Sequence, residues 1–326
     1  MRESFNELLT DYQMRRTIKQ KQHFIKWLNH HARIYDYTVF EHNFKKGKSK
    51  NLIIGSPEEA EIFLTAHYDT PSSAWFPILS IVGNIPLFIL SQISLYIVAF
   101  LFFYFIHWVL SFAISVNYLG NSQIPFFWFT VPLLTLILMI FWSIQLTVGL
   151  PNKKNANDNT SGVSVLISLL EDLPVDIRNR ICFVFFDDEE KGLEGAKCFN
   201  KGYGPHVKNK PLLNYDCVGH GKHLVFISRT VFSKTAAFEM LKEVVKDKAI
   251  VKYGKKFIHP SDQMVFKNSA GVVAVHKFPL VGYYMTRLHS RFDTKFNPDN
   301  IEKLNEMTKH FIQRILIDNE ENQNKL

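Results

Sequence analysis

Four consecutive acids, Asp187, Asp188, Glu189 and Glu190, stand directly behind the apolar run ICFVFF. Two adjacent glutamates in such a place can divide the work, one binding a metal ion and the other handling a proton. His67 and Asp69 form an H-x-D pair at the end of another apolar segment, EIFLTA. There an imidazole can ligate a metal while the nearby carboxylate orients the site from behind. Three more residues carry suitable chemistry in plainer surroundings. Asp158 opens DNTSG ahead of an apolar helical stretch, where an acid can simply cap the helix. Asp216 closes PLLNYD, and His289 sits near the carboxyl end in LHSRFDT. Taken singly, each has a bland reading as a solvated loop acid or a satisfied core histidine.

The elements that would position these residues alternate between strand and helix. ICFVFF reads as a strand buried on both faces and EIFLTA as a strand running into His67, and in an open α/β sheet ligands collect beyond the carboxyl ends of the strands. Residues 3–31 have an amphipathic helical pattern, with Phe5, Leu8, Leu9 and Tyr12 and then Phe24, Ile25 and Leu28 at helical spacing. YDYTVFEHN, the basic turn KKGKSK and NLIIG suggest a β-hairpin. Further strands and helices follow, and a helix closes the chain after FNPDN. The expected fold class is α/β, a mixed, mostly parallel sheet sandwiched by helices.

Charge is distributed very unevenly. From Thr70 to Asn152 there is no Asp, Glu, Lys or Arg, so all 38 basic and 30 acidic residues lie elsewhere. Two stretches, 92–114 and 124–148, are long and apolar enough to span a bilayer, for which about 20 residues suffice. Residues 77–89, broken by Gly83, Asn84 and Pro86, read as an interfacial lead-in. Trp75, Trp108, Tyr118 and Trp128 are candidate interface aromatics. The expected organisation is therefore residues 1–75 and 151–326 as two parts of one catalytic domain, with residues 76–150 as a two-helix transmembrane hairpin between them. His67 and Asp158 flank this insert, so if they share a site the chain must cross the membrane an even number of times.

The net charge of +8 fits an anionic lipid surface or serves only solubility, and no zinc-finger or RNA-binding motif accompanies it, so nucleic acid is not expected as a partner. Three cysteines without C-x-x-C spacing indicate buried thiols in a reducing compartment. No signal peptide is read at the amino terminus. Lys153 and Lys154 flank the insert while the turn between the spans is uncharged, which puts the catalytic domain on the cytoplasmic side of an integral membrane protein. Asn159-Thr160-Ser161 matches a glycosylation sequon, but a glycan there would obstruct the site, so the match is read as chance.

Together AHYDT, NANDNTSG, FFDDEEKGLEGA, NYDCVG, PSDQMVF and LHSRFDT, in this order, resemble metallopeptidase family twenty-eight of clan MH, the aminopeptidase Y and bacterial leucyl aminopeptidase type. The resemblance covers residues 50–317 apart from the insert. It implies a zinc exopeptidase of phosphorylase/hydrolase-like fold that removes N-terminal residues from peptides. It also implies two Zn²⁺, one held by His67 and Asp216 and the other by Glu190 and His289, with Asp158 bridging them alongside a water or hydroxide. Glu189 is then the general base and Asp69 the partner of the zinc site. N and O ligands of this kind suit zinc. Some relatives carry Tyr immediately before the last ligand His; Leu288 stands there in this chain, leaving Tyr283 or Tyr284 as the candidate replacement. The related alternatives are a carboxypeptidase, a glutaminyl cyclase, or an inactive membrane scaffold.

Overall fold

The amino-terminal segment forms two helices rather than one, α1 (Glu3–Thr10) and α2 (Ile18–Ile34). The break has a local cause: Thr17 starts a new helix with a capping box, its hydroxyl accepting from the Gln20 amide while the Gln20 side chain accepts from the Thr17 amide. The basic hairpin forms as expected, with β1 (Val39–Phe44) antiparallel to β2 (Ser49–Ile54), and β3 (Ile62–His67) follows. The computed structural model describes residues 1–74, 78–117, 124–254 and 257–323. Trp75 and Tyr118 lie outside these residues, as does the side chain of Trp128.

The segment expected as an interfacial lead-in is instead part of the sheet. Ile78–Val82 forms β4, and only after Gly83 does the chain enter the helix α3 (Ile85–Asn117), which α4 (Ile124–Val148) follows. Among the described residues, one helix, over Ile85–Ala113, is long and apolar enough to cross a membrane; the apolar part of α4 found alongside it, Pro132–Gln145, is shorter. The two helices pack through Ala99, Phe103 and Trp142, and Tyr96 meets Trp142 edge-on at 5.5 Å. Most of their other large apolar side chains, Trp108 included, are exposed.

The rest of the chain returns to the α/β pattern: α5 (Gly162–Asp172), β5 (Ile181–Phe186), α6 (Glu194–Val207), β6 (Leu212–Tyr215), β7 (His223–Ser228) and α7 (Ala236–Val245). The last elements are β8 (Ile250–Tyr253), β9 (Ser269–Phe278), β10 (Gly282–Leu288) and α8 (Pro298–Gln323). The sheet runs β1-β2-β5-β3-β6-β9-β10-β4, with β7 and β8 branching from β9. It is parallel only at its centre, β5-β3-β6-β9, and in the β7–β8 pair. Its other pairings are antiparallel, so the expectation of a mostly parallel sheet holds for the core and not for the flanks.

The central strands are apolar throughout because both faces are covered. Leu64, Phe183 and Phe185 face the helices α1, α2, α5 and α8, whereas Phe63, Val184 and Phe186 face α6. Each such side chain contributes about 1.5–3 kcal/mol by leaving water. This packing also brings α2 against the end of β5, where the Lys21 ammonium meets the carboxylates of Asp187 and Asp188, the latter at 2.8 Å. All three groups are buried. Burial pushes the Asp187 carboxyl up to about 6 despite Lys21, while at Asp188 the lysines and Ser49 outweigh burial and hold it well below its usual range. Removing one partner of a buried pair leaves the other charge uncompensated. Lys21→Met should therefore destabilise the fold by about 3–5 kcal/mol in chemical denaturation, and adding Asp187→Asn should recover part of the loss.

Candidate metal centre

β3, β5 and β6 end side by side, and the residues just beyond those ends converge. His67 closes β3, Glu189 and Glu190 follow β5, and Asp216 follows β6. Asp158 comes from the irregular turn Ala156–Ser161 before α5, and His289 comes directly after β10. Three groups of potential ligand atoms result, His67–Asp158–Asp216, Asp158–Glu190–His289 and His67–Glu189–Glu190, the atoms of each lying within 4.8 Å of one another. The first two share Asp158: one of its oxygens is 3.5 Å from His67 Nε2 and the other 3.2 Å from His289 Nε2. His67 Nε2 is also 3.5 Å from Asp216, and His289 Nε2 is 3.4 Å from Glu190. The Asp158 carboxylate thus faces two centres rather than capping α5, and no side-chain cap is present there.

Asp69 lies behind this cluster. Its two oxygens accept the backbone N–H groups of Glu189 (3.0 Å) and Glu190 (3.3 Å), and it stands 3.6 Å from His67 Nδ1. One carboxylate therefore fixes the turn that carries both glutamates and faces the ring nitrogen pointing away from the cluster. Asp293 does the same for Asp158. Its oxygens accept the backbone N–H groups of Asn157 (2.9 Å) and Asp158 (3.0 Å). Neither the role of Asp293 nor that of His259, whose Nε2 is 3.3 Å from Asp216, was read from the sequence. Asp293 belongs to the motif LHSRFDT and His259 directly precedes PSDQMVF, but the contacts that matter join residues far apart in the chain. Asn159, the formal sequon residue, is fully buried, and its amide donates to Tyr215 O at 2.9 Å.

Behind the acids lies the fully buried Arg15, from the linker between α1 and α2; its guanidinium donates to the Thr160 hydroxyl at 3.2 Å, and burial lowers its pKa to about 10. Within the cluster itself the acids are poorly compensated. Burial pushes the Glu190 carboxyl up to about 8 although His289 opposes the rise, and it pushes Glu189 well above the carboxylate range. At His289 the pull of burial is outweighed by Glu190 and Asp158, which raise the imidazole to about 9. Glu190 Oε1, Asp216 Oδ1 and both carboxylate oxygens of Asp262 are buried without a hydrogen-bond partner. Orphaned buried carboxylate oxygens around two imidazoles are what a dication would complete, and an all-N/O donor set fits zinc. A cavity of about 200 Å³ opens onto these residues, with Ile78, Phe88, Met285 and Leu288 among its apolar lining. Tyr283 and Tyr284 are absent from that lining; they meet Phe257 and His276 instead, so neither replaces the missing tyrosine.

A family model described as Peptidase family M28 matches residues 147–314. No curated protein matches the chain. Among solved structures, the LapA aminopeptidase of Legionella pneumophila is 12% identical with a TM-score of 0.54, over 96% of this chain and 69% of that one. A glutaminyl cyclase of Fimbriiglobus ruber is 14% identical with a TM-score of 0.55, over 95% and 93%. A glutaminyl cyclase of Macrostomum lignano is 15% identical with a TM-score of 0.51, over 96% and 88%. These likenesses are of fold. The position of Asp158 can be tested directly through its support. Asp293→Asn leaves one oxygen and one N–H donor where two N–H groups need acceptors, so zinc affinity should fall about 10–100-fold in calorimetric titration, with an unchanged far-UV spectrum.

Proposed function

The chain belongs to peptidase family M28, and from that premise we propose that it is a membrane-anchored aminopeptidase working with two zinc ions. The observation that carries this reading is the sharing of Asp158 between two ligand groups, with Glu189 adjacent. His67 and Asp216 would hold one ion and Glu190 and His289 the other, with Asp158 contributing an oxygen to each. When bound, such ions polarise a carbonyl and make water acidic enough to attack near neutral pH.

The remaining work falls to the chain. Glu189 accepts the proton that water loses as its oxygen bonds to the scissile carbonyl carbon. As the C–N bond breaks, Glu189 passes that proton to the departing nitrogen, giving a free amino acid and a shortened peptide. Asp69 keeps Glu189 in reach through the backbone of its turn. The concentration of acids favours a substrate with a free α-amine. Ile78, Phe88, Met285 and Leu288 favour an apolar first side chain.

The charge-free insert supports anchoring in a lipid bilayer by two spans, α3 and α4, with Lys153 and Lys154 on the cytoplasmic side. Phe88 belongs to the first turns of α3 and also lines the cavity, so the anchor and the substrate site share a wall.

Two experiments test this reading. In Glu189→Gln, zinc content should match that of the unaltered protein while hydrolysis of leucyl-nitroanilide falls about 10²–10⁴-fold. N-terminally blocked peptides should not be cleaved by either form, and cyclisation of an N-terminal glutaminyl peptide in place of hydrolysis would identify a cyclase. Metal binding with no turnover of free or blocked peptides would indicate a scaffold. Separately, replacing residues 84–150 by a glycine-serine loop should release the protein from vesicles on flotation and raise KM for leucyl-nitroanilide several-fold. Continued co-flotation would remove the anchoring role, and an unchanged KM would reduce the insert to an anchor alone.

A further inference from the structure

We propose that His259 is a catalytic residue of this site, donating a hydrogen bond to the carbonyl oxygen of the scissile bond as negative charge builds on it. The inference rests on the peptidase reading above. Among the described residues, apart from the ligand set and Glu189, the polar side chains lining the cavity are Ser80, Cys217 and His259. A thiol is a weak donor. The position before His289 is the apolar Leu288, and Tyr283 and Tyr284 are engaged elsewhere.

The His259 ring is 5% exposed, and neither of its nitrogens has a hydrogen-bond partner. Its Nε2 stands 3.3 Å from a carboxylate oxygen of Asp216, an ion-pair contact. A buried donor left unpaired is destabilising, and such groups call for an explanation in an absent ligand or a catalytic task. A neutral imidazole carries a single N–H, and the role requires that proton on the nitrogen that faces the cavity.

The segment that holds this ring is tied on both sides. The Gly83 N–H donates to Ile258 O at 3.0 Å, and the Gln263 side-chain amide donates to His259 O at 2.6 Å. Gly83 has φ +88°, and a Cβ there would lie 2.2 Å from the Phe257 ring, so only glycine allows this close approach. The end of β4 thereby fixes the backbone beside His259. A donor held in place before the reaction needs no reorganisation when charge develops, which is the property required of an oxyanion partner.

The test compares His259→Leu with His259→Gln, which keeps an N–H donor. In the leucine variant zinc content and KM for leucyl-nitroanilide should stay near those of the unaltered protein, while kcat falls about 10²–10³-fold. Calorimetry should show an α-aminoboronic acid, a tetrahedral mimic, bound more weakly by a similar factor, and leucine bound as before. The glutamine variant should recover part of both losses. Loss of zinc in the leucine variant would overturn the proposal and make His259 a ligand or a support of Asp216. An unchanged kcat, or unchanged boronic acid binding, would also overturn it. Both outcomes leave the peptidase reading intact, whereas an unaltered, zinc-loaded protein that cleaves no peptide would remove that reading and this inference together.

Discussion

Like charges in a dry place govern the architecture around the site. Asp69, Asp158, Asp187, Asp188, Asp216 and Asp262 are all buried, and they gather with Glu189 and Glu190 about the ends of β3, β5 and β6. Carboxylates repel more strongly there than in water. Part of the compensation is internal: Lys21 serves Asp187 and Asp188, and Arg15 sits behind Asp69 and Asp158. The cations come from the linker and helix of the amino-terminal segment, which otherwise only covers one face of the sheet. That segment is therefore part of the site's electrostatics, although none of its residues lines the cavity. The front of the cluster has no such support, and that is where the raised carboxyl groups of Glu189 and Glu190 lie.

The insert is attached at the same rim. The chain leaves the sheet after β4, whose strand pairs with β10 on the path to His289, and returns at Leu150, where Ser73 N–H donates to Leu150 O at 2.9 Å. The Gln145 amide donates to Ser73 O, and Ser72 bridges to Pro151. Departure and return are thus fastened to backbone that leads directly from His67 and into Asp158. Displacing the helices would be felt at both residues, which is a physical reason to expect coupling between the insert and the site rather than independent modules.

Much of this was legible in the sequence because the relevant signals are local. Strands buried on both faces announce themselves as unbroken apolar runs, and the ligand types sit immediately after them. Other features were hidden for identifiable reasons. β4 lies inside the charge-free stretch, so its strand character was masked by neighbours that are apolar for a different reason. The division of α1 from α2 was written in Thr17 and Gln20, but the apolar spacing on either side concealed it. The antiparallel flanks follow from pairings such as β2 with β5, where even Ile54 and Phe183 meet from distant parts of the chain, which no local pattern encodes. Asp293 and His259 act through partners distant in the chain, so their residue types were visible and their tasks were not.

The turn Ala156–Ser161 separates what folding explains from what it does not. It is polar yet wholly buried, and three of its side chains serve the loop after β6. Asn157 Oδ1 accepts the N–H groups of Gly219 and His220, Asn159 Oδ1 that of Cys217, and Ser161 Oγ that of Val218. Buried N–H groups must be paired, so these residues earn their place by holding the two loops in register, and with them Asp158 and Asp216. The front of the cluster differs: there Glu190, Asp216, Asp262 and His259 bury polar atoms without a hydrogen-bond partner among the described residues. An apolar residue at those positions would make a more stable fold. Stability therefore accounts for the carbonyl oxygens of the asparagines and for the serine, although Asn157 Nδ2 is itself unpaired, and leaves these acids and His259 to the chemistry proposed for the cavity.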